Sequence, residues 1–497
     1  MTTTSFAILG PIGVCILGAL LCLFLEAAGT PAGARKQGTR SHLVLISIFS
    51  LGAALLQLLA NWRDLLDTTQ LPPFPSSSDL LFDGPSRFGI VALIILILQA
   101  TIAHVPSRAA RESSTEQRIP SKTRGEVNAL LLLYAAVGMV FLATDHLLTL
   151  TVANAALGLC NIGLVALDDG KTKGAEAAAK EATLLAINLV FLSLCTALAF
   201  SVGATTLPEL VQHAVQGSPL AKIAVVVLLL AVASWLPLVP LHAIRMDVVS
   251  GAPPFAGGLI AAAGLLFGGT ILLRTVHELS TLPFSASDAE QLIAVASVLV
   301  IVIPSVAALD QQRIFRTVLY LVLGMAGVLF PVVATAGGTH GAQEVRIALL
   351  LGHGALVSFG ALVAVAVFEK PDLGSTWEDW SGLGRRAPLA ATLLLILLAS
   401  VIGLPGTFGF SIRLDVTQAA FAEHNVWIGG VVLLTPAVGL AAVARLTLFL
   451  FSKVPRSSAP VEVSRLRLLI MFFSTSIALY GGLGYESLKH FVGWLLG

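Results

Sequence analysis

Seven ionisable side chains fall inside, or at the edges of, long apolar runs: Glu26, Lys180, His242, Asp247, Arg316, His353 and Arg413. A charge at mid-bilayer depth costs roughly 2.5 to 3.5 kcal/mol, so residues of this kind are held there mainly by function, and the function they suit is movement of protons or ions. His242 heads the set, because an imidazole titrates near neutral pH in water and can pass a proton on. A histidine hydrogen-bonded to backbone carbonyls freed by the preceding prolines accounts for it equally well. Arg413 cannot release a proton at working pH, so it would bias a neighbouring site by its charge, and snorkelling to the interface accounts for it slightly better. Lys180 would act through its charge, or would be a solvated helix start paired with Glu181. His353 reads first as a packed, hydrogen-bonded histidine. Glu26, Asp247 and Arg316 lie near interfaces and read as anchors.

Other chemistry finds no support. There is no phosphate loop, no nucleotide fingerprint and no zinc-type His/Cys spacing, so no metal site is expected. Cys15, Cys22, Cys160 and Cys195 all sit in apolar runs without paired spacing, which leaves them as core or lipid-facing thiols. No residue is expected to be catalytic, and redox work must lie on another chain.

The elements that position these residues follow from composition. Of 497 residues, 56% are hydrophobic and 11% charged, against roughly a quarter charged in a soluble domain. Apolar runs of about 18 to 25 residues recur along the chain, each long enough to cross a hydrocarbon core of roughly 30 Å as a helix. Spans are expected near 6–26, 42–60, 87–105, 127–144, 147–166, 183–203, 219–243, 254–275, 290–309, 314–336, 345–368, 388–410, 425–451 and 466–494. The fold class is therefore an all-α integral membrane protein of about 14 helices. The first span lacks a basic start and a cleavage site, and is expected to be a retained helix.

Two spans are interrupted. Trp235-Leu-Pro-Leu-Val-Pro-Leu-His242 places Pro237 and Pro240 inside the seventh, and Gly403-Leu-Pro405-Gly-Thr-Phe-Gly409 breaks the twelfth. Each break runs on into an Ile-Arg-x-Asp string, Ile244 to Asp247 and Ile412 to Asp415, which is a weak signal by itself. Broken helices at corresponding places in successive five-helix blocks are the signature of inverted repeats, with the ion path at the breaks. The expected divisions are a three-helix segment 1–126, five-helix repeats 127–275 and 290–452, and a C-terminal helix 453–497. About 22 of the 29 Lys and Arg residues fall on one side of this arrangement, which puts both termini outside.

Several segments resemble subunit N of proton-translocating NADH-quinone oxidoreductase, respiratory complex I, and the chain is identified as a divergent member of that antiporter-like family. Leu81-Phe-Asp-Gly-Pro-Ser-Arg-Phe88 and Arg124-Gly-Glu-Val-Asn-Ala-Leu-Leu-Leu-Leu133 are similar to the family's segments there. Val239-Pro-Leu-His242 with Met246-Asp-Val-Val-Ser-Gly-Ala-Pro253 resembles its VPFH and PDVYEGAP, and Gly382-Leu-Gly-Arg-Arg-Ala-Pro388 with Gly403-Leu-Pro405 resembles its GLGRRNP and GIPP. The family moves protons along ionisable residues at mid-membrane depth, and most of those positions are replaced here. The fifth-helix glutamate falls on Ala155, the broken-helix lysine on Trp235, and the tenth-span lysine and histidine on Phe315 and Met325. The twelfth-helix lysine falls on Arg413, and Lys180 matches a family position.

The resemblance implies a membrane-arm subunit of a complex I-like assembly in the cell (inner) membrane, with pumping by this chain weak or lost. Its partners would be the bilayer and other membrane-arm subunits, not nucleic acid. The chain itself would bind no cofactor, while the assembly implies NADH, flavin, iron-sulfur clusters and quinone on other subunits. The alternative is an ion-coupled transporter subunit on the same fold, for cation/proton antiport or inorganic carbon uptake.

Overall fold

Backbone buried in hydrocarbon has no water to bond, so a span must satisfy its own amides and carbonyls, and the helix does this within one segment. In a computed structural model, which describes the chain outside residues 1–2, 29–38, 61–83, 106–123, 168–171, 237–240, 281–285, 335–339, 369–374, 423–424, 453–460, 462 and 497, helices are the only extended elements. Pro237 and Pro240 lie outside the described residues. Among the described residues, eleven helices are long and apolar enough to cross a membrane. Three shorter apolar ones, Pro219–Trp235, Val298–Asp310 and Pro388–Ile402, fall where the seventh, ninth and twelfth spans are expected.

The chain opens with α1 (Thr3–Ala28), α2 (Thr39–Ala60) and α3 (Gly84–Ala103). A block of five follows: α4 (Arg124–Ala143), α5 (Leu147–Ala166), α6 (Thr172–Ser201), the broken pair α8 (Pro219–Trp235) and α9 (His242–Gly251), and α10 (Pro254–Ser280). Between α6 and α8 lies a short amphipathic helix, α7 (Leu207–Val215), which the sequence reading does not anticipate. Its start is a reciprocal cap. Thr206 accepts from the Glu209 amide, and the Glu209 carboxylate accepts from the Thr205 and Thr206 amides. The amide of Thr205 above all holds that carboxyl below the usual carboxylate range.

The same order of elements then recurs. It comprises α11 (Ala286–Asp310), α12 (Ile314–Ala326) with the short α13 (Leu329–Ala334), α14 (His340–Phe368), the broken pair α16 (Pro388–Ile402) and α17 (Phe408–Ala422), and α18 (Val426–Leu450). The one-turn α15 (Leu383–Arg386) precedes α16. Each block also carries one isolated antiparallel bridge joining the residue before its second helix to the segment after its third: His146 with Thr206, and Arg313 with Thr376. The expected last span is divided at Gly484 into α19 (Arg465–Leu483) and α20 (Tyr485–Leu496).

The centre is built by α10 and α14, which pack on one another and are almost wholly enclosed, with α3 against both. By contrast α1, α2, α6 and α19 keep only about a third of their apolar windows covered. Leu17, Phe49, Leu56, Val190 and Leu483 stand out from that apolar surface, as lipid-facing side chains do. The twelfth-span break forms as expected. Gly403 takes φ +85°, where a β-carbon is strained, and the Gly403 and Leu404 amides return to the Ala399 carbonyl, closing α16 just before Pro405.

Candidate functional site

The first break is lined by amides. At the end of α8, the Trp235 indole N–H donates to the Asn154 side-chain oxygen at 3.0 Å, and Asn154 donates to Asn188 at 2.7 Å. Asn188 closes the ring by donating to the Ser234 hydroxyl and to the Ala231 carbonyl, the latter at 2.9 Å, both on α8. Helices α5, α6 and α8 are thus joined by side chains that are all neutral. Phe141 of α4 stands edge-on against the Trp235 ring with centroids 5.1 Å apart.

Beside the ring lies a buried ion pair. Glu181 of α6 accepts from the Arg245 guanidinium at 2.8 Å and from the Asn161 amide at 3.1 Å. Arg245, in α9, also donates to the Ser234 carbonyl at 3.1 Å. Tyr134, Asn154, Asn161, Glu181, Asn188 and Arg245 line a small cleft of about 30 Å³ here. Deletion of one partner of such a pair strands a charge, which is far more costly than the pair's net contribution.

At the second break the cast differs. His353 of α14 is fully buried, with Nε2 2.9 Å from the Ser400 hydroxyl, and Phe408 stands edge-on at 5.1 Å. Arg413 of α17 is buried and donates to the Val401 carbonyl at 3.3 Å and to the Thr435 hydroxyl of α18 at 3.2 Å. A β-carbon on Gly409 would fall onto the Ser400 carbonyl, so only glycine lets α17 cross α16 this closely.

Between the two breaks lies an apolar cavity. This small cavity, of about 20 Å³, reaches from Trp235 and Arg245 to Gly354, the residue after His353. Leu265, Leu319, Val322, Leu323 and Ala326 supply much of its wall, and Arg245 is its one charged lining residue. Such an apolar wall offers water few of the two to four polar partners it needs.

The structure gathers some of the expected site residues and scatters others. Lys180 does not pair with Glu181. It donates to Asp247 at 3.0 Å and meets Glu176 at 2.7 Å, since successive helix residues point about 100° apart. Asp247 also accepts from Arg316 of α12 at 2.6 Å, joining the two blocks through a half-exposed triad. His242 opens α9, half-buried, with its ring 6.3 Å from that of Tyr320. Glu26 lies against Gly125 at the start of α4. Ala155 is half-buried one residue beyond Asn154, while Phe315 and Met325 are buried in α12. Pro405 sits in the exposed turn after α16. Asn154, Asn161, Asn188 and Ser234 were missed by sequence reasoning, as was the burial of Glu181. Their signal was polar side chains in otherwise apolar helices.

A helical membrane protein with paired broken helices and polar side chains gathered at each break has the architecture of an antiporter-like subunit. The profile of the family described as NADH:quinone oxidoreductase/Mrp antiporter, transmembrane, matches residues 144–439, and the chain belongs to that family. It is 28% identical over 350 residues to NADH-quinone oxidoreductase subunit N of Methylovorus glucosotrophus, covering 68% of this chain and 70% of that protein. It is 25% identical over 429 residues to subunit N of Nitrosomonas europaea, covering 82% and 85%. Its fold is similar to a chain of the Mrp complex from Dietzia sp., with TM-score 0.79, 16% identity and coverage of 100% and 97%. It is also similar to a chain of respiratory complex I from Thermus thermophilus, with TM-score 0.75, 22% identity and coverage of 97% and 98%.

Proposed function

We propose that this chain is a membrane-arm subunit of a complex I-like NADH-quinone oxidoreductase in the cell (inner) membrane, in which the proton route along the membrane plane is interrupted. The observation that carries the reading is the apolar cavity between the two breaks, walled by Leu265, Leu319, Val322 and Leu323. A relay needs groups that take up and release protons, or water that links them. Amides do neither as a relay step, since an amide holds its N–H and C=O without exchanging protonation state. The Asn154–Asn188–Ser234–Trp235 ring includes Trp235, where the resemblance puts the family's broken-helix lysine, lies beside Ala155, where it puts the glutamate, and holds the helices together instead.

The recurring element order and the matching bridges at His146 and Arg313 support a pair of five-helix repeats. Other subunits carry NADH, flavin, iron-sulfur clusters and quinone, and both termini face the outer side. The distribution of cationic residues supports that orientation. The test is purification of the native assembly in mild detergent. Co-migration with other membrane-arm subunits and quinone reduction supports the proposal; a chain running alone, or with only a soluble partner, contradicts it and favours a transporter.

A further inference from the structure

The short string Ile-Arg-x-Asp occurs at both breaks, and in the fold its two copies sit alike. Arg245 reaches back across the first break to the Ser234 carbonyl at 3.1 Å, and Ser234 is the penultimate residue of α8. Arg413 reaches back across the second to the Val401 carbonyl at 3.3 Å, and Val401 is the penultimate residue of α16. The aspartate two residues on is tied in each case to a cation near the start of the block's third helix, Asp247 to Lys180 at 3.0 Å and Asp415 to Arg346 at 3.2 Å.

We propose that Arg245 and Arg413 are positioning residues that staple the two broken helices, each donating across the break to the penultimate carbonyl of the half-helix before it.

The last carbonyls of any helix lack partners, and in hydrocarbon water does not substitute. The amide that would bond the Val401 carbonyl belongs to the residue four on, which is Pro405 and has no N–H. The Gly403 and Leu404 amides are already spent on Ala399 and Ser400. At the first break the amide missing at Pro237 is the one that the Ala233 carbonyl would use, and Arg245 bonds the next carbonyl along, that of Ser234. The second staple extends further. Thr435, which accepts from Arg413, donates its hydroxyl to the Val432 carbonyl at 3.2 Å. That carbonyl lies four residues before Pro436, inside α18, and so lacks its helix donor too. The guanidinium thus fills one proline-made vacancy and holds the hydroxyl that fills a second. A third arginine behaves alike at an ordinary end: Arg274 of α10 donates to the Leu142 and Thr144 carbonyls at 2.8 and 2.6 Å, closing the end of α4.

The two staples differ in their counter-charge. Arg245 is neutralised by Glu181, whereas the residue after Arg346 in the second block is the apolar Ile347, and Arg413 is held by neutral oxygens. A guanidinium fits both places because its planar fork serves two acceptors at once, which a lysine ammonium on a flexible stem does not reproduce.

The test is hydrogen exchange read by mass spectrometry on the full chain in its native assembly. Arg413→Met should speed exchange in 399–411 by about tenfold, the opening expected for one to two lost hydrogen bonds, with 228–236 unchanged. Arg413→Lys should not restore protection, although it restores the charge. For the first break the pair Glu181→Gln with Arg245→Met is used, since it strands no carboxylate, and exchange should rise in 228–236 and not in 399–411. Unchanged exchange at the breaks, a rise spread evenly through α10 and α14, or full rescue by lysine would each overturn the proposal.

Discussion

The Trp235 indole N–H rests on the Asn154 side-chain oxygen at 3.0 Å, joining α8 to α5 at the depth where the seventh span breaks. The bond belongs to a closed ring, so the two ends respond differently to truncation. Asn154→Ala leaves both the indole and the Asn188 acceptor unsatisfied and should cost about 2 to 4 kcal/mol, whereas Trp235→Phe keeps the ring stack and removes one donor, at about 1 kcal/mol. Thermal melting of the purified protein distinguishes them, and equal losses would show that the ring is not closed.

Two acidic residues of similar chemistry should behave unlike each other. Glu181→Ala strands the buried Arg245 charge and should cost about 3 to 5 kcal/mol. Asp247→Ala removes a half-exposed partner of Lys180 and Arg316, and such pairs contribute less than about 1 kcal/mol. Assembly yield in membranes reads the contrast. A large loss from the Asp247 variant with none from the Glu181 variant would reverse the assignment of which pair is sealed from solvent.

Gly409→Ala should prevent assembly, because the added carbon meets the Ser400 carbonyl and the His353 ring. Gly430→Ala is the control, since nothing lies within 4 Å of that position, and there the exchange should be neutral or stabilise by up to about 1 kcal/mol through helix propensity. Western blotting of membranes suffices, and normal accumulation of the Gly409 variant would refute the close crossing.

The cap of α7 carries a pH dependence of defined sign. Glu209 has its carboxyl held below the ordinary range by the amides of Thr205 and Thr206, so its contribution is present above the ordinary carboxylate pKa and is lost as pH falls through the folded-state value. Exchange at 207–211 should be about twofold faster in Glu209→Gln than in the parent near neutral pH, a modest effect for an exposed cap. The ratio should fall to one well below the ordinary value of about 4. A ratio that grows as the pH is lowered contradicts the cap.

Span positions and the second break were legible in the sequence because hydropathy and proline report local backbone physics. Gly403 and Pro405 end α16 where their chemistry requires. The polar ring was not legible, since Asn154, Asn188 and Trp235 stand 34 and 81 residues apart and only the packing of α5, α6 and α8 brings them together. Glu181 was read as a solvated helix start because the apolar run begins after it, but α6 starts at Thr172 and turns the carboxylate inward. Arg413 was read as snorkelling for a similar reason. Its distance along the chain from an interface says nothing of the Val401 carbonyl waiting across the break. The Ile-Arg-x-Asp repeat is visible in the sequence, but a four-residue match gains meaning only from two matching places in a fold.

Ordered water in the central cavity tests the account most directly. In a density map of the native assembly sharp enough to show single waters, the space between Leu265, Leu319, Val322 and Leu323 should be empty, with water confined to the polar cleft beside Glu181. A continuous file of water running from Arg245 past those side chains to His353 would contradict it.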